Sequence, residues 1–195
     1  MIRPDRLSVM LERVESERAI DHGFRLSEKI HEHQKTRGWY TTSQRGEVVS
    51  LDVLCTNGIL AEYAFRKLIG VYVPEAIFIE LDYFDGGADV IARRKSDGST
   101  MVVQVKSANP REAYKTREPY LLSAKSNPIS KKADVAVLAI PWDETHIDFV
   151  GAIPVPDFLK KSKPFPMDPT CKAVAGDKLR SMASLLETIE CPTNE

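Results

Sequence analysis

Asp89, Gln104 and Lys106 place a carboxylate, an amide and an ammonium group within one short stretch of sequence. Such a set suits a phosphodiesterase that works with a divalent metal. A cation such as Mg²⁺ takes oxygen ligands from one or two protein groups, with waters and substrate phosphate completing its shell; Asp89 and the Gln104 side-chain oxygen would supply two. Lys106 would orient or deprotonate an attacking water, or neutralise charge building on phosphorus. The element that must position them is a hairpin. Val90-Ile91-Ala92 and Thr100-Met101-Val102-Val103-Gln104-Val105 are rich in β-branched residues and flank Asp97-Gly98, a strong hairpin signal. With Asp97 and Gly98 at the tip, Asp89 is expected opposite Lys106 and Ile91 opposite Gln104, and directly opposed residues share a face. Alternation then sends Gln104 and Lys106 one way, and Met101, Val103 and Val105 the other way, into the core.

The run Asp89…Gln104-Val105-Lys106 resembles the signature of the PD-(D/E)XK nuclease superfamily. That resemblance implies a restriction-endonuclease-like fold, a mixed central β-sheet flanked by helices, and Mg²⁺-dependent cleavage of nucleic-acid phosphodiesters, with Mn²⁺ able to substitute. It implies Asp89, Gln104 and the backbone carbonyl of Val105 as inner metal ligands, and Lys106 beside the nucleophile. Two departures stand out: Gly87-Ala88 precedes Asp89 where the family name has Pro, and Gln104 stands where Glu or Asp is commoner, removing one negative charge.

Many members carry a further Glu on a helix before the hairpin, and the stretch from Asn57 to Gly70 reads as that helix. Asn57 is the expected N-cap and Gly70 the expected stop. Ala61, Ala64, Phe65, Leu68 and Ile69 form an apolar stripe at helical spacing, and Glu62 lies beside it. A charge there is expensive to bury unless paired or bound to metal, so Glu62 is the candidate third acid, bound directly or through a water; Glu47 is its rival. The plainer reading pairs Glu62 with Arg66 at i+4.

The chain has 195 residues, enough for about one domain with appendages. A formal charge of −1 excludes wholesale basic attraction to nucleic acid, so binding must come from local asymmetry. Between Ile91 and Val135 ten Lys or Arg face four acids. Arg93, Arg111, Lys115 and Lys125 are the candidate nucleic-acid contacts, with DNA the expected substrate. Tyr114 and Tyr120 among these charges offer faces for unstacked bases. Cys55, Cys171 and Cys191 lack paired spacing, which indicates neither a disulfide framework nor a zinc site. His22, His31 and His33 are not expected to bind metal. No stretch approaches the roughly 20 apolar residues of a membrane span and no signal-peptide core is visible; a cytoplasmic protein is expected.

Three segments follow. Residues 1–42 form a helical N-terminal extension, with one or two amphipathic helices broken near Gly23. Its charges balance, so it is expected to pack on the core or on a second copy of the protein; a homodimer through the helical extensions is the partner arrangement this allows. Residues 43–155 are the nuclease-like core, opening with a helix from Ser43 to about Cys55. Ala76–Leu81 leads into the hairpin, and Glu80, Asp82 and Asp85 crowd its end, expected as loop acids ahead of auxiliary ligands. Tyr120–Lys125 is a further strand. Residues 133–142 form a strand buried on both faces, with Asp134 marking its start, and residues 146–154 its partner; this strand pair is similar to the later sheet strands of phage- and prophage-type nucleases. Residues 156–195 begin as a surface connection, after which Asp177 caps a final helix carrying Leu179, Met182, Leu185, Leu186 and Ile189. The rival to an enzyme is a catalytically inactive nucleic-acid-binding or assembly module with the same fold. A third reading makes Asp89 and Lys106 an ordinary cross-strand pair on an unrelated α/β protein.

Overall fold

All of Val135–Pro141 is buried, as a continuous apolar run ended by proline demands, and this strand, β5, lies inside the main sheet. The computed structural model describes residues 6–35, 50–70, 89–109, 119–124, 128–165 and 168–190. Around β5 are β1 (Leu7–Met10), β2 (Val90–Arg94), β3 (Thr100–Ser107), β6 (His146–Pro154) and β9 (Ile189–Glu190), in the spatial order β1-β6-β5-β3-β2-β9. The sheet is mixed: β3 runs parallel to β5, and the other neighbours are antiparallel. A smaller sheet is formed by β4 (Tyr120–Ser123), β8 (Asp168–Ala175) and β7 (Lys163–Phe165), with β8 in the middle.

Among the described residues there are four α-helices: α1 (Arg13–Lys35), α2 (Leu51–Leu68), α3 (Val155–Lys161) and α4 (Met182–Leu186). Alternation along β3 and β5 gives the main sheet two apolar faces. On one, Val90, Ala92, Met101, Val103, Val105, Val135, Val137 and Ala139 meet Ile59, Leu60, Ala61, Ala64 and Phe65 of α2. The Phe65 ring packs edge-on against Phe149, centroids 5.8 Å apart. On the other face, Ala136, Leu138 and Ile153 meet Leu121 and Val174 of the small sheet and Phe158 of α3. The result is a mixed α/β molecule with α1 and α2 on one side of the main sheet and the small sheet on the other.

Several expected boundaries move, each for a physical reason. The N-terminal extension, expected to be helical, opens with β1, whose Val9 is buried and pairs with Ile147. Gly23 does not break the helix that follows. A Cβ at Gly23 would lie 2.6 Å from the Thr56 Cα, so the glycine is where α1 and α2 cross. The helix expected from Asn57 begins earlier: Ser50 caps it, accepting from the Val53 N–H, and Asn57 lies in its interior. Gly70 does end it, at φ +75°. The segment expected to be a surface connection after residue 155 is α3, β7 and β8, because Phe158, Cys171, Ala173 and Val174 are core residues. The final helix is short and capped by Ser181, not Asp177. Leu179, Met182, Leu185 and Ile189 are nonetheless buried, with Ile189 in the edge strand β9. Both ends of the chain thus contribute sheet edges. No helix among the described residues is long and apolar enough to cross a membrane.

Candidate functional site

The hairpin forms, with its register two residues away from the expected one. Val90 opposes Val103, Ile91 opposes Val102 and Arg93 opposes Thr100. The turn is longer than an Asp97-Gly98 reversal: Arg94 and Ser99 close a loop of Lys95, Ser96, Asp97 and Gly98, with Gly98 at φ +70°. The Asp97 carboxylate accepts from both the Ser99 N–H and hydroxyl, which stabilises the longer loop and holds the Asp97 pKa down. A shift of one would have inverted every side chain; a shift of two preserves each face and changes only who stands opposite whom. Continuing the observed register places Asp89 level with Gln104 rather than Lys106, and Ile91 is half exposed opposite Val102, not Gln104.

Asp89 lies immediately before β2. Its carboxylate accepts from the Val105 N–H at 2.6 Å, and its own N–H donates to the Val103 carbonyl at 3.2 Å. The acid is therefore anchored against the middle of the Gln104-Val105-Lys106 run. In a strand the N–H and C=O of one residue point the same way, so the Val105 carbonyl also projects toward the Asp89 side of β3. From the helix side, Arg66, a buried residue of α2, donates to the Asp89 backbone carbonyl at 2.7 Å. This contact ties the helix to the start of β2 and was not expected from the sequence, where Arg66 figured only as a partner for Glu62. Glu62 stands one helical turn before Arg66 and is half buried.

Gln104 behaves differently. It is only 4% exposed, and its Oε1 accepts from the Ser130 N–H at 2.8 Å. By alternation it faces the small-sheet side with Val102 and Ala136, whereas Glu62 belongs to α2 on the opposite face. Lys106, opposite Leu138 of β5, shares the Gln104 face and is half exposed. The structure thus brings Asp89 to Val105 and Arg66, brings Gln104 to Ser130, and sets Glu62 and Gln104 on different faces of the sheet.

A neighbouring contact holds the frame. Asp134 does more than mark the start of β5: one oxygen accepts from the Val102 N–H at 2.8 Å and the other pairs with Arg94 at 3.0 Å, so one side chain ties both hairpin strands to the parallel strand. Arg93 donates to the Gly98 carbonyl and helps close the hairpin loop. Glu47, Glu80, Asp82, Asp85, Arg111, Tyr114, Lys115 and Lys125 lie outside the described residues. Tyr120 packs edge-on against Phe165, centroids 5.3 Å apart, in the core of the small sheet. His22 sits at the α1–α2 interface, its pKa lowered first by burial and then by Arg66, Lys29 and Arg25. The Tyr63 phenol is pushed up to about 12, chiefly by burial. Burial, assisted by Asp52, pushes the Cys55 thiol up to about 11, which makes it a packing residue rather than a nucleophile.

The donors around Asp89 are of the right type for a hard cation: one carboxylate and a strand carbonyl, with a further lone pair on the Gln104 amide oxygen beyond the one given to Ser130. No three His, Cys, Asp or Glu among the described residues come together as a metal cluster. A cation here would lean on one carboxylate and neutral oxygens. No family model, curated protein or solved structure matches the chain.

Proposed function

We propose that the protein is a Mg²⁺-dependent nuclease of the restriction-endonuclease-like type, cutting nucleic-acid phosphodiesters, DNA before RNA. The observation that carries this reading is the Asp89 carboxylate seated on the Val105 amide, which puts the acid of the first strand against the Gln-Val-Lys run of the second. Support also comes from the surrounding order of elements: a helix packed on the sheet, the hairpin, then a strand parallel to β3.

In this reading Asp89 and the Val105 carbonyl would hold the cation, with Gln104 lending its remaining lone pair; Glu62, on the opposite face of the sheet from Gln104, is left out of that shell. When bound, the metal would supply Lewis-acid stabilisation of the phosphoryl oxygens and an activated water. Arg66 positions Asp89 by gripping its backbone carbonyl. Lys106, two residues beyond Gln104 on the same face, places a positive charge beside the phosphate under attack. Arg93 would meet flanking phosphates, together with Arg111, Lys115 and Lys125, which lie outside the described residues.

A second reading is favoured by one specific observation. The Gln104 oxygen is buried and engaged by Ser130, which is what a purely structural glutamine would show, and a catalytically inactive nucleic-acid-binding module fits that. The two separate in a single assay. Purified protein is incubated with labelled single-stranded and duplex DNA and RNA, with Mg²⁺, with Mn²⁺ or with a chelator. The nuclease reading expects metal-dependent cleavage that Asp89→Asn and Lys106→Ala each reduce by about 10²-fold or more, with binding kept. Retention of nucleic acid without cleavage under every metal condition selects the binding module.

A further inference from the structure

Three exposed lysines outside the proposed catalytic residues are brought to one border of the Gln104 face by a short chain of hydrogen bonds. Ser130 donates its N–H to Gln104 Oε1 at 2.8 Å, and the next two residues are Lys131 and Lys132, both exposed. The Lys132 N–H in turn donates to the Ser130 hydroxyl at 3.2 Å, which fixes the turn carrying both ammonium groups. On the other side of Ser130, the Ile129 N–H donates to the Ser123 hydroxyl at 2.9 Å. Ser123 ends β4, and directly opposite it on β8 stands Lys172, also exposed. Cross-strand partners have Cβ atoms about 5 Å apart. Gln104, Ser130, Ser123 and Lys172 therefore form one connected run from the main sheet to the small one.

Two acids among the described residues near this run have partners of their own. Asp134 pairs with Arg94 and the Val102 N–H, and Asp168, at the start of β8, accepts from Thr170 and Cys171. Leu121, Ile129 and Val174 beneath this run are buried and hold it rigidly.

We propose that Lys131, Lys132 and Lys172 form a track for the phosphodiester backbone of a nucleic acid, leading along the small sheet to the Gln104–Lys106 face. The track deepens the nuclease reading by assigning the small sheet to substrate binding, but it depends only on binding, not on cleavage. Its partner chemistry is a regularly spaced polyanion. Lysines bind such a backbone as point charges, releasing counterions and reading no sequence.

The test uses the full chain in a chelator, so that cleavage plays no part. Fluorescence anisotropy of labelled single-stranded DNA, duplex DNA and single-stranded RNA is followed over a sodium chloride series for wild type, for Lys172→Gln alone, and for Lys131→Gln/Lys132→Gln/Lys172→Gln. A control variant, Lys29→Gln, lies on α1, on the far side of the main sheet. Each lysine on the track is expected to contribute about 0.7 to 0.9 to the slope of log K against log salt. The triple variant should therefore lose about 2 to 3 from the slope, Lys172→Gln about one third of that, and Lys29→Gln nothing, with far-UV circular dichroism unchanged. The substrate with the largest slope loss is the one the track fits. Unchanged slopes in the triple variant, losses of equal size in Lys29→Gln, or no binding by wild type at low salt would overturn the track. These slope changes together with no cleavage by the wild type in the separate Mg²⁺ and Mn²⁺ assay would reject the nuclease reading alone.

Discussion

Gln104 is the residue on which catalysis and structure make opposite demands. Its oxygen receives the Ser130 N–H in a buried place, so removing it leaves a backbone donor without its acceptor. Gln104→Leu should destabilise the protein by about 1 to 3 kcal/mol in urea unfolding, the usual consequence of an unsatisfied buried group. Gln104→Glu keeps an acceptor for Ser130 and adds the negative charge that the nuclease reading would expect at this position. In the nuclease reading it should lower the Mg²⁺ concentration needed for half-maximal cleavage, at some cost in stability in the absence of metal, because the added charge is buried. A variant that needs as much Mg²⁺ as wild type would put Gln104 outside the metal site. The sequence offered Gln104 and Asp89 as candidate metal ligands and did not show how each is held. The donors that hold them, from Ser130 and Val105, are backbone amides, which carry no side-chain signature.

At the scale of elements, the helix pair shows how a local rule yields to packing. Glycine inside a helix is normally unfavourable relative to alanine by about 1 kcal/mol, and Gly23 for that reason reads as a break. In the fold it is the point where α1 lies against Thr56 of α2, too close for a side chain. Gly23→Ala should thus lower stability by about 1 to 3 kcal/mol through overpacking, the reverse of the helix-propensity expectation, and thermal unfolding would show which wins. The hairpin offers the same lesson. Alternation in the sequence correctly assigns Val103 and Val105 to the core, and Gln104 and Lys106 to the other face. The partner opposite Asp89 depends on how many residues the turn takes, and that was set by Asp97 bonding to Ser99 and by Asp134 fixing Val102 and Arg94 to β5.

For the whole molecule, the interface between α1 and α2 gives a pH dependence. His22 is disfavoured in its charged form by burial and by Arg66, Lys29 and Arg25, with Asp21 opposing them more weakly. Its folded pKa therefore lies below the unfolded value of 6.5, so the unfolded chain binds the proton first as pH falls. This contribution to stability is complete above about pH 6.5. It is lost as the pH drops from there toward the folded pKa. His22→Gln should flatten the stability profile over that interval in denaturant titrations at stepped pH, leaving the profile above neutrality unchanged. An equally steep fall in the variant would assign the acid sensitivity to other groups.

The sequence by itself determined the strands with continuous or alternating apolar residues, the buried stripe of α2 and the face that each hairpin residue takes, because periodicity is a local property. It also offered Asp89 and the Gln-Val-Lys run as the candidate chemistry-bearing stretch. Tertiary structure decided the rest. Segments read as amphipathic helix or surface connection became β1, β7, β8 and β9, since a short strand is stabilised by partners distant in the chain rather than by its own composition. The same distant pairing set the hairpin register, turned the Gln104 oxygen toward Ser130 and put Arg66 on Asp89, contacts between segments that no short window of sequence holds together.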